Sequence, residues 1–159
     1  MHKAVRELLR LLDEGFNHPT WLGPNLRASV ARVTPREALW RPGAKRHNIW
    51  EVTVHAAYWK YTVRRRLMGE KRGSFGMKGS NWFPSPKRAS DKEWRAVLAL
   101  LAEEHRKLRA SVAKISPRNL GRRVSGSKWT EAQSITGAAM HDIYHAGQIQ
   151  LLKRLMKKK

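Results

Sequence analysis

The strongest constraint on how this chain folds is a stripe of apolar side chains that returns every three or four residues. Trp94, Leu98, Leu101, His105, Leu108, Val112 and Ile115 keep that spacing without a break. Alternating steps of three and four trace one face of an α-helix, and the stripe must be buried against a partner. Val5, Leu8, Leu9, Leu12 and Phe16 repeat the pattern near the start of the chain, from about His2 to Phe16. Two more long segments read as helices, from Asn48 to about Met68 and from Thr130 to about Met156. Their starts carry the spacing of a capping box: Asn48 with Glu51, Ser90 with Glu93, and Thr130 with Gln133. Thr34, Pro35 and Glu37 mark a shorter helix ending near Trp40, and Gly69 is the expected stop of the second long helix. Residues 17–33 read as loop with a short helical piece. Residues 69–89 form a long connection, docked by Trp82 and Phe83, and residues 116–129 form a loop. No segment reads as a strand. The expectation is an all-α, four-helix bundle with a long connection between the second and third long helices and short accessory helices, as one domain over residues 1–159.

Composition narrows the function. The absence of cysteine excludes disulfides, thiolate metal sites and cysteine nucleophiles, and it fits a reducing cytosol. No secretory pattern opens the chain, and no apolar run approaches the roughly 20 residues that span a bilayer. A soluble, cytoplasmic protein without a membrane partner is expected. Thirty-three Lys and Arg against twelve Asp and Glu give a net charge of +21. Such a surface attracts polyanions. Its basic residues lie in short clusters along the chain, such as residues 64–66, 122–123 and 157–159, which reads as a solvated basic shell. Nucleic-acid binding, with Trp21 or Trp82 stacking on bases, is the alternative; no recognised nucleic-acid motif supports it.

The last long helix carries an oddity, His141 and His145 on the expected inner face. On a helical wheel His145 falls about 40° from His141, and Gln148 about 20° to the other side. Ser134, Gly137, Ala138, Tyr144, Leu152 and Leu155 share that face. Two imidazoles at i and i+4 can hold one metal ion, and Gly137 and Ala138 leave room beside them. His55 supplies a third inward imidazole from the second long helix, and three ligands with an open position make a catalytic-type centre. Glu51, one turn before His55, suits a cap, an orienting carboxylate or a proton carrier. Gln148 suits a hydrogen bond beside the metal or between helices. His105 reads as structural, His47 as a border of the site, and Asp142, about 100° from His141, as a surface residue. Tyr144 and Trp59 read as pocket wall or core. Arg66 lies on the His55 face about three turns on, where it could receive an anionic thiol.

Taken together, "HNIWEVTVHAAYWK" at 47–60 and "HDIYHAGQIQLL" at 141–152 resemble the DinB/YfiT-like family of metalloenzymes. "WLGPNLRASVARVTPREALWRP" and "RRRLMGE" extend the likeness over nearly the whole chain. The resemblance implies a four-helix bundle with one divalent metal ion, commonly zinc or nickel, on His55, His141 and His145. It also implies a homodimer and a small-molecule substrate. Members include transferases of low-molecular-weight thiols, thiol-dependent isomerases and proteins called hydrolases. The extreme positive charge departs from what is expected of the family.

Three neutral imidazoles leave a bound ion its full charge. Hydrolysis and thiol transfer both need such a site, so the residues leave both open. A bundle that keeps the site only as scaffold, or serves as a stress-linked binding protein, is the non-catalytic alternative.

Overall fold

The computed structural model describes residues 1–157; Lys158 and Lys159 of the terminal basic cluster lie outside the described residues. Six α-helices follow one another: α1 (Lys3–Phe16), α2 (Leu26–Val30), α3 (Pro35–Leu39), α4 (Ile49–Leu67), α5 (Asp91–Val112) and α6 (Glu131–Met156). A single 3-10 turn, Pro117–Asn119, follows α5, and no strand occurs among the described residues. The four long helices pack in a ring, with α1 against α5 and α6, and α4 against the same two. Helices α2 and α3 close one end, α2 on α6 and α3 on α4. No helix among the described residues is long and apolar enough to cross a membrane.

Local chemistry sets the helix starts. Thr34, Ser90 and Thr130 each accept a bond from the backbone N–H three residues on, and Glu37, Glu93 and Gln133 each return one to the cap backbone. Asn48 caps α4 by accepting from the Glu51 N–H at 2.9 Å. The expected return bond from the Glu51 side chain is replaced by partners from elsewhere in the chain, described below. Gly69 follows α4 with φ +67°, the left-handed turn glycine makes without strain.

Two apolar clusters fill the interior. One gathers Phe16, Leu26, Ile49, Val54, Trp94, Leu101 and Ile149, and the other gathers Leu9, Leu12, Leu108, Val112, Val124 and Ile135. Between them lies a layer to which each long helix contributes one ionisable residue: Asp13, Lys60, His105 and Asp142, all buried. The Lys60 ammonium donates to the Asp142 carboxylate, and its Nζ lies 3.4 Å from His105 Nδ1. The His105 ring stacks on Phe16 at 4.0 Å, and Asp13 ties to Arg109 by two bonds of 2.7 and 2.9 Å. A carboxylate and an ammonium in such a place are tolerated only as a pair.

Asp142, expected at the surface from its place about 100° from His141, is instead fully buried. The buried stripe of α6 runs through Ile135, Ala138, Ala139, Asp142, His145, Ala146, Ile149 and Leu152. Its centre therefore lies about 80–100° round the helix from His141. The cause is α1, which packs on α6 so closely that a Cβ added at Gly15 would lie 2.8 Å from the Ala139 carbonyl oxygen. His145 thus sits at the edge of the buried stripe that faces α4, and half-buried His141 lies just beyond it. Tyr144 and Leu155, expected on the inner face, are exposed.

Candidate metal centre

Helices α4 and α6 bring His55 and the His141/His145 pair to one point. Nε2 of His141 lies 3.2 Å from Nε2 of His55 and 3.0 Å from Nε2 of His145. One ligand atom from each of the three lies within 4.8 Å of the others. His55 and His145 are buried and His141 is half-buried, so the cluster sits just under the surface.

The outer nitrogens of two rings are already committed. His55 Nδ1 donates to the Asn81 carbonyl at 2.7 Å, and His145 Nδ1 donates to the Gln148 side-chain oxygen at 2.7 Å. Both Nε2 atoms are therefore bare lone pairs that point at His141 Nε2, and three nitrogens share at most one proton. A proton-poor nest of three nitrogens is the donor set a divalent cation takes. Partners on the far nitrogen also fix tautomer and ring direction, as they do for metal-bound histidines.

The electrostatics agree. Burial holds His141 at about 3, helped by His145, His55 and Lys60. Burial likewise holds His145 at about 4 against the pull of Gln148, and it lowers His55. All three rings are neutral at neutral pH, the form that coordinates a metal.

The connection after α4 completes the site. Asn81 adopts φ +64°, a region asparagine tolerates. Its side-chain oxygen accepts from Trp59 Nε1 at 3.0 Å while its carbonyl serves His55. Nothing in the local sequence marks this role, because the bond spans 26 residues. Phe83 is buried and anchors the connection. Trp82 lies between two imidazoles, 3.9 Å from the His55 ring and 3.7 Å from the His47 ring.

Glu51 stands behind that stack. Its carboxylate accepts from both terminal nitrogens of Arg41, from His47 Nδ1 at 2.8 Å and from the Ser85 N–H at 3.2 Å. Burial would raise its pKa, but bonds from Arg41, His47 and Ser85 outweigh it and hold the group at about 2. Among the described residues Glu51 makes no hydrogen bond to the three clustered histidines; it holds His47, which stacks on Trp82, which in turn stacks on His55. His105 belongs to the charged layer, apart from the cluster.

A cleft of about 560 Å³ opens beside His141, between α4 and the first half of α6. Trp59, Val63 and Arg66 of α4 line it, with Trp129 on its rim and Gly137 and His141 on α6.

No curated protein and no solved structure gives a significant match to the chain. The sequence profile of the DinB superfamily matches residues 20–149, from the loop before α2 to near the end of α6. A match over most of the sequence, carried on an all-α fold with a three-histidine cluster, places this chain in the DinB superfamily.

Proposed function

We propose that the chain is a metal-dependent enzyme that holds one divalent cation, zinc or nickel, on His55, His141 and His145 and acts on a small-molecule substrate. The observation that carries this reading is the convergence of three Nε2 atoms, two of them stripped of protons by Asn81 and Gln148. A cation held by three neutral ligands supplies a Lewis-acid charge beside the open cleft. Transfer of a low-molecular-weight thiol and hydrolysis both draw on that charge.

The other residues have distinct tasks in this reading. Gln148 and Asn81 hold the His145 and His55 rings in the binding tautomer. Trp82 covers His55 and keeps water from its outer face. Glu51, neutralised by Arg41, positions His47 and through it the Trp82 lid. Gly137 and Trp59 leave the approach to His141 open. A homodimer is part of the proposal, supported by Met140, Tyr144, Leu151 and Leu155, which form one exposed apolar stripe along α6.

Elemental analysis of protein purified without a histidine tag tests the reading. The wild type should carry close to one equivalent of metal, and His141→Ala should carry almost none. Wild-type protein that stays metal-free after incubation with zinc and with nickel would overturn it. A screen of thiols against electrophiles, beside ester and amide substrates, then separates transfer from hydrolysis.

A further inference from the structure

The cleft beside His141 has an unusual polarity along its length. On α4 the residues His55, Trp59, Val63 and Arg66 lie within about 80° of one another, so they form one stripe. The last three line the cleft. The rise from His55 to Arg66 is eleven residues, about 16 Å. On α6 the opposite wall runs from His141 back through Gly137 and Ser134 towards the helix start. The groove is therefore reactive at one end, apolar along its body and cationic at the other.

Arg66 is the distinctive feature. It is half-buried, and among the described residues no carboxylate pairs with it. Of its neighbours on α4, Arg64 is paired with Glu70, and Arg65, which also has no carboxylate partner among the described residues, donates to the Glu70 carbonyl and lines a different depression. Arg66 instead borders both the apolar cleft and a smaller depression lined by Arg122, Arg123 and one carboxylate, Glu131. Arg122 is paired with Glu131, and Arg123 has no carboxylate partner among the described residues. The positive end of the α6 dipole lies at the same end of the groove. A guanidinium without a counter-ion, at the end of an apolar slot, is a receptor for an anion carried on an apolar body.

We propose that this groove binds an elongated amphipathic anion. Its carboxylate or equivalent group would lie at Arg66, its apolar body on Trp59, Val63 and Trp129, and its far end at His141. This deepens the enzymatic reading, since it names the substrate class for the same site, and rests on it only for the role of the far end. Gly137 lies on the α6 wall of the slot, and a Cβ built there meets nothing within 4 Å. A larger side chain at that position fills the groove and leaves the core untouched.

The test is a fluorescence titration of the purified full-length protein with dansyl-undecanoic acid and with its methyl ester. Metal content is read on the same preparation, so a missing metal and a missing anion site give different results. The acid should bind saturably and about tenfold more tightly than the ester, the scale of one charge-assisted contact. Arg66→Gln should abolish that preference, while Lys92→Gln, on the exposed start of α5, should keep it. Gly137→Leu should weaken both probes about tenfold, the scale of one lost set of apolar contacts. Trp129→Ala, on the exposed rim, reads the same wall should the leucine variant fold poorly. Equal affinity for acid and ester, loss of the preference in Lys92→Gln, or unchanged binding in both groove variants would overturn the proposal.

Discussion

The Nε2 atom of His55 lies 3.2 Å from that of His141, although 86 residues separate them in the chain. Neither helix alone can hold a metal ion with three ligands. The contact exists because α4 and α6 run side by side, and its consequences can be measured.

Gln148 should matter to metal binding although it is not itself one of the three histidines. It accepts from His145 Nδ1 at 2.7 Å and so fixes which nitrogen faces inward. Replacing such a partner typically costs about 10–100-fold in metal affinity. Competition of Gln148→Ala against a zinc chelator should show a loss in that range, with the melting temperature of metal-free protein almost unchanged. An unaltered affinity would remove Gln148 from the site.

The Lys60–Asp142 pair should be costly to break and cheap to replace whole. Lys60→Met leaves a buried carboxylate without its ammonium, a change that costs about 3–5 kcal/mol. The double variant Lys60→Met/Asp142→Leu removes both charges and should recover most of that loss. Urea denaturation of the single and double variants checks the difference. Equal stability of the two would show the pair is not coupled.

Acid should destabilise the protein in part through His105. Burial, with Lys60 close by, holds this imidazole at about 3, well below its usual 6.5. Between those values the unfolded chain binds a proton that the folded chain refuses. Stability is therefore full above about pH 6.5 and falls as pH drops towards 3, by up to about 1.4 kcal/mol per pH unit. The buried cluster histidines act in the same direction. His105→Phe keeps a ring against Phe16 and removes the titrating group. Its stability should fall less steeply than that of the wild type between about pH 6 and pH 4 in urea titrations.

Two glycines should respond oppositely to alanine. At Gly15 a Cβ would lie 2.8 Å from the Ala139 carbonyl oxygen, so Gly15→Ala must push α1 from α6. Overpacking of this kind costs about 1–3 kcal/mol. At Gly147, in the middle of α6, a Cβ meets nothing within 4 Å. Gly147→Ala should stabilise by up to about 1 kcal/mol through helix propensity alone. Thermal melts of both variants read the sign directly.

The helices, their starts and the His141/His145 pair can be read directly from the chain. These depend on spacing within a turn or two. Thr34 with Glu37, Ser90 with Glu93 and Thr130 with Gln133 are neighbours whichever way the chain folds, so their bonds form as the spacing predicts. His141 and His145 share a helix face for the same reason. What local spacing does not carry is where each face ends up. Glu51 has the position of a cap partner, yet Arg41 and Ser85 arrive from other segments and outbid the cap backbone N–H with charge and number. Asp142 lies off the histidine face, yet α1 and Lys60 meet it there. Lys60 is the one charge between Glu51 and Arg64, and Asp142 the one acid after Glu131 in α6; that isolation was the available signal. Asn81 orients His55 from a loop with no periodicity at all. Tertiary structure decided these points because burial and charge neutralisation act between segments that chain distance keeps far apart, and only packing of the four long helices fixes which of them meet.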